Sequence, residues 1–186
     1  MTETTRLGDE IIMAGIGGTG VLVAGQVLAW AAQHHYKYVS WVPSYAAAKR
    51  GWPVECTVIF SDEEIDCSIL DEAKTVMVFE SSQFEAFQPR VRSGGLLITE
   101  KSALKGEKQR QDIALVAIPG LEAAASMGEP LINNLILLGA YIQVAGTVPV
   151  ELIEAELERR YEGSRLELNR QAFQSGLELA REPAKG

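Results

Sequence analysis

The sequence predicts an α/β fold with three αβα layers, a mostly parallel sheet and a helical carboxyl-terminal third. An apolar run over residues 10–15 passes through a glycine-rich turn into an apolar helix, which is how a βαβ unit begins. Short, nearly all-apolar runs follow and are typical of parallel strands buried on both faces. In the carboxyl-terminal third, residues 130–144 are apolar almost all round, and Pro149 and a capping box at Ser164-x-x-Glu167 are typical starts of two further helices.

Composition and charge restrict the class of protein. The chain has 186 residues, of which 47% are hydrophobic and 23% charged, as expected for one globular domain spanning residues 1–186. A net charge of -8 argues against nucleic-acid binding. The amino terminus has no signal-peptide pattern, and no apolar run approaches the roughly 18 residues that span a bilayer. We therefore expect a cytoplasmic protein with no membrane partner.

The first strand, 10–15, leads into a helix over 18–33 through a glycine-rich turn. Gly15, Gly17 and Gly20 fit the pattern G-x-G-x-x-G in its strand–turn–helix context. In this pattern the first glycine permits a tight turn, the second lets a phosphate approach the backbone, and the third lets the helix pack on the strand. The helix start also offers free N–H groups to an anion. The alternative is a structural turn that binds nothing.

The second strand, 37–42, does not end as a dinucleotide-binding strand should. Such a domain carries an acid there to hold the ribose hydroxyls, but residues 38–44 contain none. This absence argues against an NAD site. Lys49 and Arg50 could meet a 2′-phosphate, so NADP is less disfavoured.

The loop over residues 43–53 is a second candidate ligand site. Ser44 and Tyr45 carry hydroxyls, Arg50 is a cation, and Trp52 offers a stacking surface. These groups suit a phosphorylated or carboxylated ligand. The alternative is a short helical surface turn on which Trp52 simply packs.

The remaining pattern completes a sheet of about six strands. A short helix over 82–92 and a charged surface segment over 101–111 interrupt the strands. Asn133 and Asn134 open an apolar helix that we expect to be buried. They could point into a site, but capping the helix is the simpler role. The predicted strands are 54–60, 75–79, 96–99 and 113–118, and the predicted carboxyl-terminal helices are 130–144, 149–162 and 164–182.

Motifs for independent chemistry are missing. The only histidines are His34 and His35, and no G-x-S-x-G elbow or Walker A lysine is present. Two cysteines, Cys56 and Cys67, cannot supply the four ligands of an iron–sulfur cluster, and Cys56 is interpreted as a small core residue. The sequence therefore predicts a ligand-contacting module with no catalytic residue and no metal site.

Several ordered segments together resemble one family, the gamma subunit of 2-oxoacid:ferredoxin (acceptor) oxidoreductases, which is similar to the gamma-like domain of pyruvate:ferredoxin oxidoreductase. The glycine loop is similar to the family's G-x-G-G-Q-G-V, and residues 43–51 to its P-S-Y-G-x-E-x-R-G-G. Residues 56–65 resemble C-x-V-x-x-S-D-x-x-I, and residues 134–140 resemble N-x-x-x-L-G-A. The chain departs from the family at Thr19, Ala46, Ala48 and Trp52, where the family has Gln, Gly, Glu and Gly.

The resemblance implies a Rossmann-like subunit of a heteromeric enzyme that oxidatively decarboxylates a 2-oxoacid, such as pyruvate or 2-oxoglutarate, to acyl-CoA and passes electrons to ferredoxin. Thiamine diphosphate, magnesium and iron–sulfur clusters then belong to alpha, beta and ferredoxin-like delta partners. The gamma chain would aid assembly and the access of coenzyme A (CoA), and would be inactive alone. The implied contacts to a phosphate, CoA or a partner's site are Gly15, Gly17, Gly18, Thr19, Gly20, Ser44, Tyr45, Arg50 and Gly51.

Two other functions stay open at this point. The G-x-G-x-x-G turn is compatible with a stand-alone NAD(P)-binding oxidoreductase. The apolar helix over 130–144 is compatible with a purely structural docking subunit.

Overall fold

The structure is a computed structural model that describes residues 8–44, 51–104 and 109–181. Its strands are β1 (Asp9–Ile16), β2 (Tyr38–Ser44), β3 (Pro53–Ser61), β4 (Ala73–Val78), β5 (Val91–Glu100) and β6 (Ala114–Ile118). Its α-helices are α1 (Val21–Ala32), α2 (Phe84–Phe87), α3 (Gly120–Ser126), α4 (Asn133–Ala145), α5 (Val150–Arg160) and α6 (Gly163–Arg181). The sequence predicted all six strands, five of them to within two residues at each end, whereas β5 begins five residues before its predicted start.

The strands form one mixed sheet in the order β2-β3-β1-β4-β5-β6. Strands β1, β4, β5 and β6 pair in parallel, whereas β3 pairs antiparallel with both β1 and β2. The expected βαβ beginning is therefore modified, because β2 runs in the direction of β1 but β3 lies between them. The short connection between β2 and β3 favours their antiparallel pairing.

The two faces of the sheet are buried against different layers. In β1, Ile11 and Met13 point to one face and Ile12 and Ala14 to the other, as strand geometry requires. The first face packs on α1, α4 and α6, and α5 packs against α1 and α6 in the same hydrophobic cluster. The second packs on Phe84 and Phe87 from the short helical segment after β4. The three-layer α/β prediction is confirmed, with one thick and one thin helical layer.

Helix α4 is buried along most of its length, as its apolar sequence predicts. Two glycines let it approach α6 backbone to backbone. A Cβ added at Gly139 would lie 2.2 Å from the carbonyl oxygen of Phe173, and one at Gly176 would lie 1.9 Å from that of Ile136. No side chain fits between the two helices at these positions.

The carboxyl-terminal end of α4 is joined to the start of β1 by a buried hydrogen-bond network. The Tyr141 hydroxyl and the Thr75 hydroxyl donate to Asp9 Oδ2 over 2.9 and 3.0 Å. The Tyr141 hydroxyl also lies 2.8 Å from Thr147 Oγ1. Burial raises the pKa of Asp9, and these hydrogen bonds oppose that rise.

Other elements differ modestly from expectation. The Pro119-Gly120 pair ends β6 but also opens α3, which the sequence did not predict. The predicted helix over 82–92 is broken into 3₁₀ turns on both sides of the four-residue α2, and Pro89 lies in the second of these turns. Helix α6 begins at Gly163 rather than residue 164. None of the helices in the described ranges is long and apolar enough to cross a membrane.

The substitution Asp9→Asn should gain stability relative to the parent protein as pH rises. Folding favours the protonated form of a carboxyl whose pKa is raised by burial. The contribution of the Asp9 carboxyl to the stability of the parent protein is complete below its pKa in the unfolded chain, about 3.9. This contribution is lost as pH rises through the higher pKa of Asp9 in the folded protein. Urea unfolding of both proteins over roughly pH 4 to 8 measures this difference.

The opposite sign is expected for Asp112→Asn, the matched control. The hydrogen bond from Arg110 holds the pKa of Asp112 below its usual range. The contribution of Asp112 is therefore present above the unfolded pKa and disappears as pH falls. A stability difference between Asp9→Asn and the parent that does not change with pH would contradict the assignment.

Candidate functional site

The turn between β1 and α1 lies at the carboxyl edge of the sheet, where open α/β sheets place their ligands. Gly18 and Gly20 adopt positive φ values of 103° and 76°. The Thr19 side chain closes the turn, because its backbone N–H and its hydroxyl both donate to the Ile16 carbonyl, over 3.1 and 2.7 Å. The left-handed conformation of Gly20 then directs the chain into α1.

Residues Gly51 and Trp52 hold the turn on one side. The Gly17 N–H donates to the Trp52 carbonyl over 2.8 Å, and the Gly51 N–H donates to the Gly17 carbonyl over 3.2 Å. These bonds extend the β1–β3 pairing by one step beyond Ile16 and Pro53. The N–H of Gly17 is therefore already occupied by protein, although the motif predicts close phosphate approach at this glycine.

The side chain of Asn134 holds the turn on the other side. Its amide Nδ2 donates to the Gly20 carbonyl over 3.1 Å, and a Cβ added at Gly20 would lie 2.5 Å from that nitrogen. The residue before α4 is Ile132, and no side chain caps the helix. The interpretation of Asn134 as a helix cap is therefore wrong. Its presence in the N-x-x-x-L-G-A segment was the available signal for another role.

Backbone donors remain open at this turn. The N–H groups of Gly18 and Gly20, and those of Val21, Leu22 and Val23 at the start of α1, have no hydrogen-bonding partner among the described residues. No acidic residue occupies the first turn of α1. Converging N–H groups at a helix start attract an anion.

The first and last glycines of the motif have roles opposite to those expected. Gly15 lies within β1, and a Cβ there would approach Thr19 Oγ1 and Val21 Cγ2 to 2.7 Å. Gly15 thus permits close packing of helix on strand, while Gly20 makes the turn. The motif identifies the glycines but does not assign these two roles.

Two carboxylates lie further along the same edge. Glu80 accepts the Ser82 N–H over 2.9 Å and caps the 3₁₀ turn after β4. Glu100 is buried at the end of β5 and accepts the Leu121 N–H over 2.9 Å. Burial raises the pKa of Glu100, and backbone N–H donors oppose that rise. Both acids stabilise the local backbone, and the sequence did not single out Glu100.

Asn133 and Gly120 form a tight contact beside Glu100. A Cβ added at Gly120 would lie 2.0 Å from Asn133 Oδ1. That oxygen is buried and has no hydrogen-bond partner within the described part of the chain. The two asparagines that open α4 therefore pack against two different turns of the carboxyl edge.

The remaining predicted site residues are only partly assembled. Gly51 contacts the glycine turn, but Ser44 pairs with Glu55, which in turn pairs with Ala14. Ser44 therefore lies two strand spacings, about 10 Å, from β1. Tyr45 and Arg50 lie outside the described residues, as do Ala46, Ala48 and Lys49.

Cys56 is buried, as expected, and burial raises the pKa of its thiol to about 12. The thiol is therefore protonated at neutral pH, which does not suit a nucleophile. The described ranges contain no group of three or more His, Cys, Asp or Glu residues arranged to hold a metal ion.

Fold and turn together define an α/β protein with a glycine turn whose backbone N–H groups are open among the described residues. Residues 10–179 match the family described as pyruvate ferredoxin/flavodoxin oxidoreductase, and the chain belongs to this family.

Named relatives agree with this membership. The chain is 31% identical over 177 residues to the 2-oxoglutarate synthase subunit KorC of Archaeoglobus fulgidus, covering 95% of this chain and 90% of KorC. It is 31% identical over 172 residues to the pyruvate/ketoisovalerate oxidoreductases common subunit gamma of Thermococcus kodakarensis. This match covers 88% of this chain and 92% of that subunit. In the ketoisovalerate oxidoreductase subunit VorA of Methanothermobacter marburgensis, the match covers only 37% of that protein.

Solved structures agree in fold. The gamma subunit of a keto/oxoacid ferredoxin oxidoreductase from Geobacter sulfurreducens superposes with a TM-score of 0.81 at 26% identity, covering 94% of this chain and 97% of that one. A 2-oxoglutarate:ferredoxin oxidoreductase from Magnetococcus marinus superposes with a TM-score of 0.86 at 20% identity, and the match covers 32% of that chain. At this identity the similarity shows the fold alone. The resemblance to gamma-type subunits, and the class of oxidoreductase it implied, are confirmed.

The contact between Gly20 and Asn134 predicts energetic coupling. We expect Gly20→Ala to cost about 2–4 kcal/mol of unfolding free energy, from the positive φ and from overlap with Asn134. In the background of Asn134→Ala the contacts with Nδ2 and Cγ are removed and only the Cβ of residue 134 stays close, at 3.2 Å, so the same change should cost about 1–2 kcal/mol less. Urea unfolding of the two single variants and the double variant measures this coupling.

Gly128→Ala is the matched control, because Gly128 also has a positive φ, of 78°, but nothing within 4 Å of an added Cβ. It isolates the backbone cost of about 1 kcal/mol. Strictly additive effects of Gly20→Ala and Asn134→Ala would rule out the proposed contact.

Proposed function

We propose that this chain is the gamma subunit of a heteromeric 2-oxoacid:ferredoxin oxidoreductase, which converts a 2-oxoacid and CoA to acyl-CoA and passes electrons to ferredoxin. Family membership over residues 10–179 carries the proposal. The open glycine turn gives the chain a ligand-contacting surface, while its described residues assemble no acid–base constellation. Such a chain assists a reaction whose chemistry belongs to its partners.

The turn suits a phosphate of CoA. The N–H groups of Gly18 and Gly20, which have no partner among the described residues, can donate to phosphate oxygens. Trp52 is half exposed beside the turn and offers an aromatic face to a ring or a partner. These groups make one wall of a site, so we infer that other chains complete it. Arg50 is proposed as its cation from the sequence.

The cofactors are proposed to reside on partner chains. Thiamine diphosphate, bound with magnesium, supplies carbanion stabilisation for decarboxylation, and iron–sulfur clusters carry the electrons. We propose alpha and beta chains, and a ferredoxin-like delta chain, as the direct partners, in the cytoplasm. The 2-oxoacid belongs to the class named in the relatives, which includes 2-oxoglutarate, pyruvate and ketoisovalerate.

A stand-alone NAD(P)-dependent oxidoreductase is the second candidate, favoured by the G-x-G-x-x-G turn. Two features oppose it. The Gly17 N–H is bonded to Trp52, and β3 separates β1 from β2, so the end of β2 is not adjacent to the turn. Calorimetric binding of either dinucleotide at about micromolar affinity, roughly 8 kcal/mol, would favour this candidate over ours.

Purification of the chain from its source should yield a complex. We expect thiamine diphosphate-binding chains in stoichiometric amounts, with 2-oxoacid- and CoA-dependent reduction of ferredoxin, whereas the isolated chain should be inactive. Mass spectrometry and a ferredoxin-reduction assay measure both. Full activity in the isolated chain, or purification without any such partner, would refute the proposed function.

In the assembled enzyme, Arg50→Ala should raise the KM for CoA about tenfold and leave kcat nearly unchanged, because a charged hydrogen bond to phosphate is worth about 1.5–3 kcal/mol. Arg92→Ala is the control. Arg92 forms an ion pair with Glu10 at the opposite edge of the sheet, so its loss should not change the KM. An unchanged CoA dependence in Arg50→Ala would favour a purely structural docking subunit.

A further inference from the structure

The carbonyl of Gly20 is held from two sides. The side-chain Nδ2 of Asn134 donates to its oxygen over 3.1 Å, and the Ala24 N–H donates to the same oxygen over 3.0 Å. Both lone pairs of this carbonyl are therefore used by protein donors. One donor belongs to α1 and the other to α4, so the direction of the carbonyl is fixed between the two helices.

Peptide planarity carries this constraint to the next residue. The C=O of Gly20 and the N–H of Val21 belong to one rigid trans peptide group, in which they point in opposite directions. A carbonyl held on the side of α4 therefore directs the Val21 N–H away from α4. This N–H has no partner among the described residues. Asn134 thus sets the direction of an open donor that it does not touch.

A second peptide group of the turn is held in the same way. The Gly51 N–H donates to the Gly17 carbonyl over 3.2 Å. That carbonyl shares its peptide group with the Gly18 N–H, another donor without a partner in the part of the chain that the structure describes. Two open donors are therefore oriented by bonds that the protein makes behind them. Donors that are oriented in advance bind an anion without the entropic cost of ordering the turn.

The amide of Asn134 is itself held rigidly. Its residue is only 6% exposed and lies in the first turn of α4. A Cβ added at Gly20 would lie 2.8 Å from the Asn134 Cγ, so the amide packs directly on this glycine. Helix α4 is in turn fixed against the backbone of α6 at Gly139. The core of the protein therefore sets the position of the Asn134 donor.

We propose that Asn134 is a positioning residue for the glycine turn, and that it acts through the rigid Gly20–Val21 peptide to orient the Val21 N–H for a phosphate of CoA. The inference rests on the proposed function and deepens it, since it names the side chain that prepares the turn for the anion. Because Asn134 touches neither the phosphate nor the reacting atoms, its loss should weaken CoA binding and spare the chemical step.

The test uses the assembled enzyme in a ferredoxin-reduction assay with varied CoA. Asn134→Ala should raise the KM for CoA about three- to tenfold, the range expected for one neutral hydrogen bond, and leave kcat nearly unchanged. Asn134→Asp keeps the size of the side chain, but an ionised carboxylate has no donor and adds a negative charge near the anion. Its KM for CoA should therefore rise more than about tenfold.

Pantetheine separates positioning from a merely structural role. It has the thiol and the amide groups of CoA but no phosphate, so it cannot use the oriented N–H groups. The ratio of kcat/KM for CoA to kcat/KM for pantetheine should therefore fall in Asn134→Ala by the factor by which the KM for CoA rises. A general loosening of the site would lower both values together. An unchanged ratio would thus overturn the proposal.

Asn133→Ala is the matched control. Asn133 lies in the same helical turn and is similarly buried, at 5% exposure, but it contacts Gly120 and not the glycine turn. Its loss should leave the KM for CoA close to the value of the parent enzyme. Thermal unfolding of each variant chain checks that the substitutions leave the fold intact.

Failure of this inference differs from failure of the proposed function. If the parent enzyme reduces no ferredoxin in response to a 2-oxoacid and CoA, the proposed function fails. If the parent is active and the KM for CoA is unchanged in both Asn134 variants, the function stands and the positioning role is refuted. An equal rise of KM in Asn133→Ala would assign the effect to the start of α4 as a whole, which also overturns the proposal.

Discussion

The position of helix α4 is the constraint on which the rest of the structure depends. At the carboxyl edge, Asn134 in the first turn of α4 donates a hydrogen bond to the Gly20 carbonyl. Toward the opposite edge, the Tyr141 hydroxyl near the end of α4 donates a hydrogen bond to Asp9. Between these ends, Gly139 brings it against the backbone of α6. One buried helix therefore fixes the glycine turn relative to the start of β1. The turn is held in place before any ligand arrives.

Strand β3 gives the glycine turn neighbours that differ from those of a dinucleotide-binding domain. By entering the sheet between β1 and β2, it moves the end of β2 away from the turn and brings Trp52 against Gly17. Among the described residues, the N–H groups that remain without a partner at the turn are those of Gly18, Gly20 and the start of α1. The turn therefore presents backbone N–H donors beside Trp52. This arrangement fits a subunit that contributes part of a shared site.

The sequence alone indicated the fold class, the strands and the buried helix, because these depend on hydrophobic periodicity, which is local. It also located the glycine turn. It could not place β3 between β1 and β2, since strand order depends on long-range pairing. The roles of Gly15 and Gly20, the contact of Asn134 and the burial of Glu100 likewise arise from residues far apart in the chain. Motif spacing identifies such residues without identifying their partners.

Hydrogen exchange followed by mass spectrometry tests the central claim directly, namely that other chains close the carboxyl edge. Amide exchange is compared between the isolated chain and the assembled enzyme. We expect new protection in peptides covering residues 16–24, 51–53 and 119–131, with added protection of the glycine turn when CoA is present. Protection confined to the opposite edge, around Asp9 and residues 62–70, with the glycine turn unchanged, would contradict the account.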